Sequence, residues 1–136
     1  MIEILNLTNF KIKKKDFSQL AKKILLGENK GKGGVSLVFI KESEIRRLNR
    51  KFRGRNEATD VLSFPLINCP AATNYLGEIF ISPYVVLKQA RRYRTDFREE
   101  LKRVFIHGLL HLLGYDHNNR KEAKRMKKLE EYYLNL

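Results

Sequence analysis

The stretch His107-Gly-Leu-Leu-His111-Leu-Leu-Gly114-Tyr-Asp116-His117 contains all 3 histidines of a 136-residue chain. A neutral imidazole offers a nitrogen lone pair near physiological pH, which makes histidine the commonest metal ligand. His107 and His111 are spaced i, i+4, and on an α-helix that puts both rings on one face, a turn apart. Gly114 can take the left-handed conformation that ends a helix, so the chain can turn back and bring His117 to the same ion. Three nitrogens leave one tetrahedral position open, the arrangement of a catalytic rather than a structural zinc. The neighbours of these histidines are apolar, and a lone histidine in such a setting is usually a satisfied core residue. Three at ligand spacing, closed by a glycine, fit a metal site better. From Val104 onward the segment is apolar nearly all round, as a helix buried at a domain centre must be.

The spacing His-x3-His-x2-Gly-x2-His resembles the metal-binding segment of the metzincin peptidases, with one departure. Those enzymes carry a glutamate directly after the first histidine as general base. Here that position is Gly108, which has no side chain to take a proton. The metal ligands are kept and the peptidase base is absent.

Outward from this segment, the rest of the chain reads as an α+β domain. Asp96-x-x-Glu99 resembles a capping box and opens the histidine helix, which is expected to reach Leu113. Ser82 followed by Pro83 marks another helix start, running to about Arg92 and exposing Lys88, Arg91 and Arg92. Leu76–Ile81, Val35–Ile40 and Ile2–Leu7 have the β-rich or alternating character of strands. Val61–Phe64 reads as a short strand stopped by Pro65, which cannot donate to a ladder. Residues 66–75 read as a loop holding Cys69 and Pro70. Asp16 is placed to cap a helix to about Leu26, with Phe17, Leu20, Ala21 and Ile24 facing inward. Ser43 is expected to start a helix that Gly54 ends, with Ile45, Leu48 and Phe52 inward and its arginines outward. A last helix, about Arg120 to Leu134, turns Ala123, Met126, Leu129 and Tyr133 inward. The expectation is a single domain over residues 1–136, with a small mixed sheet covered by helices and a central buried helix carrying the metal histidines.

Composition narrows the function. The formal net charge is +13, and excess positive charge of that size most often serves a polyanionic partner such as RNA or DNA. Residues 46–55 hold Arg46, Arg47, Arg50, Lys51, Arg53 and Arg55 with no acid among them, whereas a salt-bridged surface interleaves its signs. Phosphate contacts are therefore expected there, with Lys88, Arg91 and Arg92 as a second basic group. Lys11 to Lys15 make a further basic turn. The glycine-rich 27–34 loop lacks the strand and the Gly-Lys-Ser/Thr order of a phosphate-binding loop, which excludes a nucleotide cofactor. No apolar run approaches the length needed to span a membrane. The N-terminal stretch is too short and polar for a signal peptide's apolar core. A single cysteine, Cys69, cannot form an internal disulfide, and together these features favour a reducing, cytoplasmic setting.

Three segments in order, Asn49-x-x-Phe-Arg53-Gly54 through Thr59-Asp60-Val-Leu-Ser-Phe-Pro65, then Leu76-Gly-Glu-Ile-Phe-Ile-Ser82, then His107 through His117, resemble the YbeY family of bacterial rRNA maturation factors. The resemblance spans most of the chain. It implies a zincin-like fold and a zinc-dependent, single-strand-specific endoribonuclease acting in 16S rRNA 3′-end maturation and ribosome quality control. That places single-stranded rRNA and the small ribosomal subunit among its partners. By motif position His107, His111 and His117 match the ligands of one zinc ion, and Arg53 matches the family's functionally important arginine. Glu78 stands where an aspartate is frequent in the family and keeps the charge.

Phosphodiester cleavage needs charge stabilisation on phosphorus, and Arg53 offers a planar, permanently charged donor for the non-bridging oxygens. The reactive set is expected to be Arg53, His107 and Asp116. Asp116 has three open roles: orienting a ligand imidazole, serving as base, or capping the turn. Asp60 and Glu78 flank strands, and ordering their loops is a sufficient role for them. The loop after Gly54 is expected to lead into a strand beside the histidine helix, leaving Arg53 at the rim of the metal cleft. Two other classes stay open: a metallopeptidase with metzincin-like ligand geometry, and a non-catalytic ribosome-assembly factor whose zinc only staples the fold.

Overall fold

A computed structural model describes residues 1–66 and 74–136 of the chain. Its four strands are β1 (Ile2–Asn6), β2 (Gly34–Phe39), β3 (Val61–Pro65) and β4 (Tyr75–Ile81). The order across the sheet is β1-β2-β4-β3. β1 pairs parallel with β2 and β2 parallel with β4, while β3 runs antiparallel to β4 along one edge. Pro65 therefore ends an edge strand, where a missing donor costs least. The helices are α1 (Lys14–Gly27), α2 (Glu42–Arg53), α3 (Pro83–Tyr93), α4 (Phe97–Leu112) and α5 (Arg120–Leu134). This is the mixed α+β architecture expected from the sequence. Among the described residues no helix is long and apolar enough to cross a membrane. Of the loop expected at 66–75, residues 67–73, with Cys69 and Pro70, lie outside the described residues.

Strand alternation decides what covers each sheet face. Val35, Leu37 and Phe39 of β2 and Ile79 and Ile81 of β4 are buried on the side of α1 and α4. There Phe17 packs edge-on against both Phe39, at 5.3 Å, and Phe105, at 5.5 Å. The opposite face is only partly covered, by α2, whose Ile45 joins Ile40 and Leu62 in a second, small cluster. α4 is the centre of the larger core: Leu101, Val104, Phe105, Ile106, Gly108, Leu109, Leu110 and Leu112 are all buried. Gly108 is where it meets the sheet, since a Cβ there would lie 3.0 Å from a Val61 methyl and 3.1 Å from both an Ile79 methyl and Ser63 Oγ. α4 descends antiparallel to β4, with Gly108 beside Ile79 and Leu112 beside Gly77.

Three local expectations need correction. Asp16 lies in the first turn of α1 rather than capping it, and the N-cap, Lys13, makes no side-chain cap bond. α2 begins at Glu42 with Lys41 as an uncapped N-cap, so Ser43 is already inside the helix. Phe52 is 58% exposed rather than inward. The inward place on that face goes to Asn49, whose Nδ2 donates to Glu57 O at 2.9 Å and ties down the loop that follows. Phe52 instead meets Phe64 edge-on across the surface at 5.4 Å. The other caps stand where the sequence puts them. Ser82 Oγ accepts from Val85 N and Asp96 Oδ2 from Glu99 N.

Candidate metal centre

The last two turns of α4 bring His107 and His111 together. Their Nε2 atoms lie 3.1 Å apart. Gly114, with φ 98°, turns the chain out of the helix, and the His117 ring comes to 5.1 Å from that of His111 and 5.7 Å from that of His107. One ligand atom from each of the three lies within 4.8 Å of the others. Two metal–nitrogen bonds of 2.0–2.1 Å at a tetrahedral angle separate their nitrogens by roughly 3.3 Å, so the spacing and the all-imidazole donor set fit a zinc-like ion.

Each histidine is held by something different. Glu130, from α5, places Oε2 2.9 Å from His107 Nδ1. With the ring hydrogen of Nδ1 donated to this carboxylate, the Nε2 lone pair faces His111, the pairing that commonly fixes the tautomer of metal-binding histidines. The Glu130 side chain is only 14% exposed. His111 sits deeper, and burial, with the neighbouring rings of His107 and His117 adding to it, lowers its pKa. Both effects favour the neutral, ligating form. His117 rides on the exposed turn, where Asp116 Oδ1 accepts from the His117 backbone N–H at 2.7 Å and Oδ2 from Asn118 Nδ2 at 2.7 Å. Both oxygens of Asp116 are thus engaged in the turn, and Oδ1 is 4.0 Å from His117 Nδ1.

The turn is also anchored from the far end of the chain. Glu28, just past α1, accepts from the hydroxyls of both Tyr115 and Tyr133, each at 2.5 Å. The bond to Glu28 raises the pKa of Tyr115, and burial followed by the same bond raises that of Tyr133. Both phenols therefore remain donors across the physiological range.

Arg53 is linked to α4 through β3. Its Nη2 donates to Ser63 O at 3.0 Å, and Ser63 Oγ donates to Gly108 O at 2.8 Å. Two hydrogen bonds thus lead from the guanidinium to the backbone beside His107. The guanidinium also lies over the Phe64 ring at 5.8 Å. The other basic candidates lie on α2, just after it, and on α3. Arg46 donates to Asn56, Arg47 pairs with Glu44 at 2.8 Å, and Lys88 pairs with Glu42 at 3.1 Å. Arg50, Arg55, Arg91 and Arg92 are exposed. Asp60 orders its own loop, accepting from Val61 N at 2.8 Å, and Glu78 is exposed on β4.

Glu130 and Glu28 carry no motif that singles them out in the sequence. One signal does exist for Glu130, an acid four residues after the inward-facing Met126 and so on the buried side of the last helix. Glu28 has none, because its partners are 87 and 105 positions away.

A family model described as "Endoribonuclease YbeY" matches residues 3–136. An "Endoribonuclease YbeY" of Thermodesulfovibrio yellowstonii is 46% identical over 102 residues, covering 74% of this chain and 64% of that protein. One from Persephonella marina is 41% identical over 123 residues, 88% of this chain and 80% of the relative. Some relatives are much longer, and the match spans only 35% of one from Myxococcus xanthus. A solution structure of a Thermotoga maritima protein superposes with TM-score 0.68 at 36% identity, covering 99% of this chain and 87% of that one.

Proposed function

The chain belongs to the YbeY endoribonuclease family, and from that premise we propose that it is a zinc-dependent endoribonuclease cutting single-stranded RNA. Its setting would be 16S rRNA 3′-end maturation and ribosome quality control on the small subunit, in the cytoplasm. The observation that carries the reading is the convergence of His107, His111 and His117 on a chain of net charge +13, with Gly108 where a peptidase needs its base. His107, His111 and His117 would hold one zinc ion. When bound, that ion supplies a Lewis acid for a phosphoryl oxygen and lowers the pKa of water.

The chain's own residues do the rest. Glu130 holds the His107 ring in its ligating tautomer. Asp116 orders the turn that presents His117. Arg53 spends one N–H on Ser63 O and keeps the remaining donors of its fork for a non-bridging phosphate oxygen. Arg46, Arg47, Arg50 and Arg55 on and after α2, with Lys88, Arg91 and Arg92 on α3, would hold the flanking phosphates.

Two other readings are less well supported. A peptidase lacks its base at Gly108 and has no use for the charge. A zinc staple is disfavoured by chain topology: the ligands span only residues 107–117, and closing so short a loop removes little chain entropy. α4 is meanwhile fixed by the apolar core.

The test is incubation of a labelled unstructured RNA, and of casein, with zinc-loaded wild type and with His111→Ala. The wild type is expected to cut the RNA and leave casein intact, and His111→Ala to lose both bound zinc and cleavage. A His111→Ala protein that keeps its full zinc complement breaks the ligand assignment.

A further inference from the structure

The strongest unassigned feature lies at the opposite end of α4 from the histidines. A groove of about 670 Å³ opens between the loop after β1, the start of α1 and the first turns of α4. Phe10 and Phe97 line it with ring centroids 5.8 Å apart and planes inclined by 36°. Both rings are half-buried, so the walls of the groove are aromatic and within reach of a ligand. Lys11, Lys13, Arg98 and Lys102 also line it, against the single carboxylate of Asp16. Asp16 makes long ion pairs, at 3.9 Å, with both Lys13 and Lys102, and one carboxylate cannot neutralise four cations. Lys14 and Lys15 extend the positive surface outward.

The groove is built rather than incidental. Asn6 Nδ2 donates to Phe10 O at 2.8 Å, and Asn6 Oδ1 accepts from both the backbone and the hydroxyl of Thr8, at 3.0 and 2.6 Å. Phe10 N in turn donates to the Thr8 hydroxyl. This knot fixes the Phe10 ring against α4. The groove also sits beyond the carboxyl end of β1, the side of a parallel sheet on which ligands usually bind. A smaller apolar hollow of about 240 Å³ continues on the other side of Phe10 toward Tyr84.

We infer that this groove is a second binding site for single-stranded RNA, with Phe10 and Phe97 stacking a base and the four cations holding the flanking phosphates. Aromatic faces inside a cationic groove are the common means of binding single strands without reading sequence. Phe97 precedes His107 by ten residues, on the order of 15 Å along the helix axis, and the groove opens on a different face of α4. It therefore grips RNA remote from the bond cleaved and matters only for substrates long enough to reach both places. This rests on the RNA substrate proposed above and assigns it a surface that the metal centre does not include.

The test measures fluorescence anisotropy of a labelled 20-nucleotide single-stranded RNA across a salt series. The same samples are run on a gel to read cleavage. Lys11→Ala/Arg98→Ala, two exposed positions, is expected to lower the slope of log affinity against log salt by about 1.4, at roughly 0.7 per neutralised phosphate on a single strand. Phe10→Ala is expected to weaken binding roughly tenfold and Phe10→Tyr to restore it, since either ring stacks. Cleavage of a four-nucleotide RNA is expected to be unchanged in all three variants. Unchanged affinity and slope in both the double variant and Phe10→Ala overturn the inference. So does displacement of the RNA by polyglutamate of equal charge, which would assign the groove to an acidic polypeptide. A protein that binds RNA through the groove but cuts none leaves the groove standing and removes the nuclease reading. One that cuts RNA with an unaltered slope does the reverse.

Discussion

His107 and His111 ride on α4, which buries eight side chains or glycine faces, while Arg53 ends α2, where only Ile45 and Asn49 are buried. The two histidines are placed by the core. Packing fixes the helix axis, the i, i+4 spacing fixes the two rings, and Glu130 fixes the tautomer of one. Arg53 stands on an exposed helix end and is aimed by a hydrogen bond to Ser63 O and by the Phe64 ring. The two regions therefore answer to different changes. The histidine region is sensitive to volume at positions that touch no ligand, and the arginine region to the chemistry of one side chain.

The largest effect should come from the lightly held partner. Arg53→Ala is expected to retain the metal and the fold yet lose RNA cleavage by roughly 10²–10³-fold, the usual loss for one charge-stabilising donor. Arg53→Lys should recover only part of this, because an ammonium cannot make a paired, planar contact. Steady-state cleavage with metal analysis on the same samples checks both, and loss of the metal from Arg53→Ala would erase the contrast between the two regions. Next comes Glu130→Gln, which keeps the shape but loses the charge on His107 Nδ1. Metal affinity is expected to fall about 10–100-fold, read by competition with a chromophoric chelator, while thermal stability of the metal-free protein barely moves.

Gly108→Val probes volume alone. Its side chain would press into Val61, Ile79 and Ser63, and overpacking of this kind costs roughly 1–3 kcal/mol, measurable by urea denaturation. If the strain reaches the neighbouring histidine, metal affinity falls with stability, which distinguishes it from Glu130→Gln. Smallest is the joint change Arg46→Ala, Arg47→Ala and Arg50→Ala. It should lower the salt slope of single-stranded RNA binding by no more than about 2, at roughly 0.7 for each phosphate no longer neutralised. The drop should be smaller still because Arg47 is already paired with Glu44. Folding stability should hardly change, since exposed pairs contribute little.

Much of the first region is legible in the sequence because its rules are local. The i, i+4 histidines, the turn glycine at 114 and the all-round apolar run after Val104 each report on a few neighbouring residues. The Ser82–Pro83 and Asp96 helix starts are legible for the same reason. Asp16 and Ser43 mislead because residue type alone cannot say where tertiary packing starts a helix. Both helices begin on a lysine that caps nothing. Phe52 follows the helical period but falls where α2 has too little sheet beneath it, and Asn49 takes the buried position by satisfying Glu57 O. Glu28, Glu130 and the Arg53–Ser63–Gly108 link join distant segments. No local pattern encodes them, although a carboxylate on the inward face of an otherwise apolar helix stripe is a signal worth pursuing.

The clamp at Glu28 bears on the order in which the protein is made. Glu28 leaves the ribosome early, the histidines late, and Tyr133 and Glu130 later still. Until α5 has docked, His107 lacks its carboxylate and the turn carrying His117 has only Tyr115 to tie it to Glu28. A nascent chain thus exposes three histidines before it can hold them in register. Assembly of the three histidines into one set therefore waits for a helix made after them, and a chain released only as far as residue 117 lacks the contacts that α5 supplies.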